Sequence, residues 1–264
     1  MSAISVVLVV YNQLPITRAC LESLRRTATP FELCVVDNGS TDGTDAFFRA
    51  PLAMPVRYQR NEENAGLIRA LNQGARLASG ARLCFLHNDT EMLEPAWLGR
   101  LEAAAAGGPH GGLAGLYGAR RVRRDGRYAG RSLVHCLHGR ARMPRPVVEV
   151  AAVDGVCLFL SRALYDLVGG FDEGYGFFHG YDRDLSFAVR EAGGRCVIVD
   201  APFVHQGGGT RTAAGAPRRP AEDLAERRAA LARFAKKWAH RLPSDVRTLR
   251  ERVADRVGAP WPVR

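Results

Sequence analysis

The sequence predicts an α/β chain built on a doubly wound, mostly parallel sheet. Short β-branched runs alternate with helical stretches through the first hundred residues. Those runs are apolar at nearly every position, as strands covered on both faces by helices must be. Three polar clusters, Tyr11-Asn12, Asp37-Asn38-Gly39-Ser40 and His87-Asn88-Asp89-Thr90, fall where such runs end. In open α/β sheets, ligands collect at the carboxyl ends of the strands.

The elements follow in order. Residues 4–10 (ISVVLVV) form the first strand, and Pro15 opens a helix to about Arg26 with Ala19, Leu21 and Leu24 on its apolar side. Residues 31–36 (FELCVV) form a second strand ending at Asp37; a short helix starts near Asp42, and a strand runs from Val56 to Gln59. Residues 65–78 make a helix stopped by Gly80, and residues 82–87 (RLCFLH) a fourth strand leading into Asn88-Asp89. Strand–helix–strand at this spacing implies right-handed parallel crossovers.

The second half is less regular. A helix spans Pro95 to Ala106, residues 118–146 read as a basic, loop-rich insertion, and residues 156–160 (VCLFL) as a buried strand. Asp182 to Ala192 is a helix, Arg195 to Val199 a strand, and residues 206–219 a mobile Gly-rich segment. Residues 221–240 form a basic amphipathic helix carrying Leu224, Leu231, Phe234 and Trp238.

The chain has 264 residues, 47% of them apolar, and a formal net charge of +10. That length suits one large domain with a sizeable core. The charge favours anionic partners. Aromatic residues are not interleaved with the basic ones in the stacking pattern of single-strand binders, so nucleic acid is not an expected partner. Six cysteines form no C-x-x-C pair, which argues against a zinc framework and fits a reducing compartment. No apolar run reaches the roughly 18–20 residues needed to cross a bilayer. A cytoplasmic protein is expected, with the basic tail a candidate for contact with the inner membrane face.

Each cluster has a plain structural reading and a chemical one. Asp37 can belong to a turn capped by Ser40 or Thr41, or accept the imide N–H of a uracil or thymine ring. His87-Asn88-Asp89 can cap the helix after it, or hold Mg²⁺ or Mn²⁺ through one carboxylate while a diphosphate supplies further ligands. Tyr181-Asp182-Arg183-Asp184 contains a literal D-x-D. Asp182 there is either a helix N-cap or a general base. His205 suits a metal or phosphate contact. His135 and His138 read as surface loop, and His179 as a lining of an acceptor site.

Taken together, SVVLVVYNQ, VVDNGSTDGT, NAGLIRALNQGARLASG, FLHNDTE, GGFDE, YDRDLSFAVREAGG and VHQGGG resemble, in order, the family 2 glycosyltransferases of bacterial surface-polysaccharide synthesis. The resemblance covers residues 4 to about 210. It implies the GT-A fold, a nucleotide-diphosphate-sugar donor (UDP-, dTDP- or GDP-linked), a glycan or lipid-linked acceptor, and Mg²⁺ or Mn²⁺ as cofactor. It implies that Val10, Tyr11, Asp37, Ser40, Asn64 and Gly66 hold the nucleoside, with Asn88 beside them and Arg69 near a phosphate. It implies Asp89 and His205 at the metal, and Asp182 as catalytic base of an inverting transfer. Three positions depart from the family pattern: His87 stands where Asp or Asn is usual, Tyr181 where Glu is common, and Leu71-Asn72 where Arg-Asn is frequent. The expected organisation is a nucleotide-sugar half (1–110), an acceptor half (111–215) and a helical tail (216–264). The alternatives are a sugar-phosphate nucleotidyltransferase, which the absence of Gly and Lys from Tyr11 to Pro15 disfavours, and a non-catalytic nucleotide- or glycan-binding module.

Overall fold

One eight-stranded sheet runs through both halves of the chain in this computed structural model, which describes residues 3–107, 111–129, 132–143, 145–207 and 219–257. Residues 208–218 of the predicted Gly-rich segment, and 130, 131 and 144 of the basic stretch, lie outside the described residues. Strands β1 (Ile4–Val10), β2 (Glu32–Asp37), β3 (Val56–Arg60) and β4 (Arg82–His87) are parallel, in the order β3-β2-β1-β4. Helices α1 (Leu14–Leu24), α2 (Thr44–Arg49) and α3 (Leu67–Leu77) join them.

The uniform apolarity of β1 has its physical reason in two cores. Ile4, Val6, Leu8 and Val10 point into one apolar cluster with residues of α1, and Val7 into the other with residues of α3. Gly74 is where α3 comes closest to the sheet: a Cβ there would lie 2.3 Å from Val7 Cγ1. Helix α3 therefore sits too low on the strands for any larger residue to fit without displacement.

After β4 the chain forms β5 (Thr90–Met92) and α4 (Trp97–Ala105), then adds β6 (Gly112–Gly115) to the sheet. Three short strands follow, β7 (Tyr117–Ala119), β8 (Arg121–Val122) and β9 (Leu133–His135). Next come β10 (Val147–Glu149), β11 (Ala152–Val153) and β12 (Cys157–Ser161). Helices α5 (Arg162–Leu167) and α6 (Tyr181–Glu191) precede β13 (Arg195–Val199) and β14 (Phe203–His205). Strand β12 is the predicted buried strand, and it runs antiparallel between β4 and β6.

The stretch expected to be loop-rich is more ordered than its sequence suggests. Strand β7 pairs antiparallel with β9 and β11 in a second small sheet, and His135 stacks on Tyr117 with ring centroids 5.0 Å apart rather than lying in a surface loop. Strands of two or three residues are too short to display an apolar period, which is why they escape pattern reading.

The tail forms α7 (Pro220–Lys237), β15 (Ser244–Asp245) and α8 (Leu249–Val257). Of the large apolar residues on α7, Phe234 is buried, Leu231 half-buried and Leu224 exposed; Trp238, just beyond the helix, is buried too. Phe234 meets Phe187 of α6 edge-on at 4.9 Å, so this apolar face packs on the domain. Strand β15 pairs with β8, and Arg120 and Glu251 form a buried ion pair at 2.6 Å. All six cysteines are free and buried, as small hydrophobes. Among the described residues no helix is long and apolar enough to cross a membrane.

Candidate active site

A cleft of about 350 Å³ opens at the carboxyl ends of β1, β2 and β4 and is closed on its far side by α6 and α7. Tyr11, Asn38 and Asn64 line one part; His87, Asn88, Asp89 and His205 line another; Asp154, Asp182, Arg183, His179 and Arg227 line the rest. All three polar clusters predicted at strand ends contribute to it.

On the first side, side-chain hydrogen bonds hold the loops in place. Asp37 is fully buried: its Oδ1 accepts from Ser40 N at 2.8 Å, and its Oδ2 from the Tyr58 hydroxyl at 2.8 Å. Ser40 does not cap α2, whose N-cap is Gly43; its hydroxyl accepts from Asn12 N at 2.8 Å and ties the first two loops together. Asn38 donates to Asn64 Oδ1 at 2.8 Å and accepts from Asn61 and Ala65. Gly66 precedes α3 at φ 89, packed under Phe177 so that a Cβ would lie 3.0 Å from that ring. Val10 is buried behind this wall, and Arg69 is not brought to the cleft: it is 64% exposed and paired with Glu173 at 3.3 Å.

The second group is assembled by strand pairing. The chain turns at Asn88-Asp89 straight into β5, which pairs antiparallel with β14 so that His205 lies opposite Thr90. This ribbon places His205 Nε2 at 3.2 Å from Asp89 Oδ1. His87 Nδ1 lies 4.0 Å from the same oxygen and 3.5 Å from His205 Nε2. Ligand atoms of the three side chains all fall within 4.8 Å of one another. The turn does not cap α4, which begins at Trp97. Instead Asn88 donates to Thr17 Oγ1 at 2.9 Å, locking the loop to α1. Burial raises the Asp89 pKa, but the hydrogen bond from His205 and the nearby imidazoles outweigh it, so the carboxyl sits below its usual range. Two imidazoles and a carboxylate around one point, partly open to the cleft, fit a divalent ion with sites left for a diphosphate.

The third group settles which half of the literal D-x-D faces the cleft. The N-cap of α6 is Gly180, at φ 88, so Asp182 is not the N-cap. Its Oδ1 accepts from Arg183 N at 2.8 Å, and its Oδ2 from Gly155 N at 3.3 Å. The Arg183 guanidinium lies 3.6 Å from Oδ1 and stacks over Tyr128 at 4.1 Å. Two residues along a helix is about 200° of rotation. Asp184 accordingly points away, accepting from Tyr175, Trp238 and Lys237 at 2.7–2.9 Å. It anchors the end of α7 to α6.

Asp154 is the acid that reading the sequence missed. It lines the cleft beside Asp182, and burial followed by the Asp182 charge pushes its pKa up to about 6. Its signal was present in Asp154-Gly155 just ahead of the apolar β12 run, the same acid-beside-buried-strand pattern as Asp37. Arg183 and Arg227 were also missed, because an arginine among 37 basic residues carries no signal of its own. His179 does line the cleft, held by Asp223 at 2.9 Å.

Known proteins share part of this sequence and this fold. Residues 5–166 match the family described as glycosyl transferase family 2. A PGL/p-HBAD biosynthesis glycosyltransferase of Mycobacterium bovis is 35% identical over 102 residues, 38% of this chain. The chain spans less than half the length of such relatives: the aligned stretches cover 40% of that enzyme and 23% of an uncharacterized Sinorhizobium fredii protein, y4gI, which is 29% identical over 72% of this chain. Among solved structures, GalNAc-T7 with UDP, GalNAc and Mn²⁺ superposes with a TM-score of 0.63 at 20% identity, covering 78% of this chain and 44% of that one. The Pyrobaculum calidifontis mannosyltransferase PcManGT with GDP-Man and Mn²⁺ gives 0.59 at 20% identity, covering 92% and 65%. With the fold shared and more than half of the sequence matched, the chain belongs to glycosyltransferase family 2 and has the GT-A fold.

Proposed function

We propose that the chain transfers a sugar from a nucleotide-diphosphate donor to a hydroxyl of a glycan or lipid-linked acceptor, with inversion at the anomeric carbon, in the synthesis of bacterial surface polysaccharide. The observation that carries this reading is the convergence in one cleft of His87, Asp89 and His205 with the carboxylate of Asp182. Residues 1–110 hold the donor in this reading, residues 111–215 receive the acceptor, and residues 216–264 close the acceptor side through Arg227.

Tyr11, Asn38 and Asn64 form the nucleoside wall, with Asp37 and Ser40 setting the loop behind it. His87, Asp89 and His205 would hold Mg²⁺ or Mn²⁺, which supplies positive charge against the departing diphosphate. Asp182, fixed by Gly155 N and Arg183 N, accepts the proton of the acceptor hydroxyl. The freed oxygen bonds to the anomeric carbon from the face opposite the diphosphate, and the carbon–phosphate-oxygen bond breaks. Base catalysis of this kind contributes about 10²–10⁴-fold. The UDP and GDP-mannose in the two similar structures support a nucleotide-sugar donor and leave the base open.

Arg183, Arg227 and His179 on the acceptor side suit an acceptor bearing phosphate. Contact with an anionic lipid surface stays part of the reading, but moves from α7 to α8. There Leu249, Val253 and Val257, at 77%, 54% and 69% exposure, make one outward stripe flanked by the exposed Arg250, Arg252 and Arg256.

A melting-temperature screen of UDP-, dTDP- and GDP-sugars with Mn²⁺ or Mg²⁺ tests the donor reading. At hundredfold excess over Kd a true donor stabilises by about 2.7 kcal/mol, which is roughly 5–10 °C for a chain of this size. Pyrophosphate formation from a sugar phosphate and a nucleoside triphosphate, with no shift from any nucleotide sugar, would instead establish the nucleotidyltransferase.

A further inference from the structure

Two of the departures from the family pattern touch each other. His87 Nε2 lies 3.1 Å from the hydroxyl of Tyr181, which is only 4% exposed. Gly155 makes room for that hydroxyl: a Cβ at 155 would sit 2.1 Å from the Tyr181 oxygen. The other ring nitrogen, Nδ1, is the one that faces Asp89 and His205. A histidine that ligates through one nitrogen carries its proton on the other, and a hydrogen bond there fixes both tautomer and ring orientation.

We propose that His87, oriented by Tyr181, is a direct metal ligand that makes the site selective for first-row transition ions over Mg²⁺. The inference rests on the donor reading above. An aspartate at position 87 would offer oxygen, which Mg²⁺ accepts readily; an imidazole does not serve that hard ion well. With His87 and His205 both presenting nitrogen, Asp89 is the one oxygen donor of the three. Mn²⁺, Co²⁺ and Zn²⁺ accept such a mixed set, whereas Mg²⁺ gains little beyond the single carboxylate. Tyr181 acts through His87 and is a positioning residue. Its hydroxyl oxygen accepts a hydrogen bond from Nε2–H and holds Nδ1 toward Asp89.

The test uses the full chain, stripped of metal and given UDP, dTDP or GDP in turn. Free Mn²⁺ is followed by its paramagnetic resonance signal while Mg²⁺ is added as competitor. Half-displacement of Mn²⁺ is expected only at roughly a hundredfold excess of Mg²⁺. His87→Asp should lower that excess at least tenfold. Tyr181→Phe should weaken Mn²⁺ binding about 10–100-fold and leave Mg²⁺ binding unchanged, whereas loss of structure would weaken both. Displacement at comparable concentrations in the wild type, or Tyr181→Phe binding Mn²⁺ as the wild type does, overturns the proposal while nucleotide binding stands. Failure of every nucleotide to bind with any ion overturns the donor reading itself, and this proposal with it.

Discussion

Replacing Asp184 by alanine separates the two acids of the Tyr181–Asp184 run by their consequences. Asp184 is 3% exposed and collects the Tyr175 hydroxyl at 2.9 Å, the Trp238 indole N–H at 2.7 Å and the Lys237 ammonium at 2.9 Å. Alanine strands the first two donors, both on buried residues. A buried donor left without a partner costs about 1–3 kcal/mol, so the pair sums to roughly 2–6 kcal/mol. Lys237 adds little, because its half-open side chain rehydrates. Urea unfolding followed by tryptophan fluorescence should show the unfolding free energy falling by that amount, with the midpoint lowered in proportion. Below the midpoint, donor affinity in the folded protein should match the wild type, because Asp184 does not line the cleft. An unchanged midpoint, or loss of metal-dependent donor binding at full stability, would refute the assignment of Asp184 as an anchor and restore the literal D-x-D as metal site.

Two further outcomes concern pH. Asp154 has its folded pKa raised to about 6 from 3.8, so ionising it destabilises the folded state, and that loss grows as pH rises between those values. Asp154→Asn should therefore gain melting temperature relative to the ligand-free wild type between pH 4 and 6 and hold the gain above; a gap that does not change with pH contradicts this. Glu251, beside the buried Arg120 guanidinium, is depressed to about 2 from 4.5: burial raises it, but the Arg120 hydrogen bond, those from Thr248 and the Arg120 charge together outweigh burial. Its stabilisation is complete above about pH 4.5 and lost as pH falls toward 2. Glu251→Ala should cost about 3–5 kcal/mol at pH 7, with the difference shrinking over that acid range; equal costs at pH 7 and pH 3 would contradict the ion pair.

The parallel half of the sheet was legible because its strands are buried on both faces and therefore read as unbroken apolar runs, as Ile4 to Val10 shows. The strand-end clusters were legible because polar residues at the ends of such runs are conspicuous. Strand direction was not: the apolar pattern of Cys157–Ser161 is the same whether it runs parallel or antiparallel. Nor could spacing say which of Asp182 and Asp184 enters the cleft. The phase of α6 is set by where it starts, at the left-handed Gly180, and one residue of shift rotates every side chain by 100°. The meeting of His87 with His205, 118 positions apart in sequence, depends on the three-residue ribbon between β5 and β14. Arg69, placed near a phosphate by likeness, instead pairs with Glu173 on the outer side of α3.

Release of nucleoside diphosphate from the donor that the melting screen identifies tests the central claim most directly, with Asp182→Asn compared against the wild type at saturating Mn²⁺. Turnover lowered at least about 10²-fold with donor affinity retained is the expected result. Turnover at the wild-type rate, with Asp182 replaced and the donor bound, would contradict the assignment of the catalytic base and the transfer chemistry built on it.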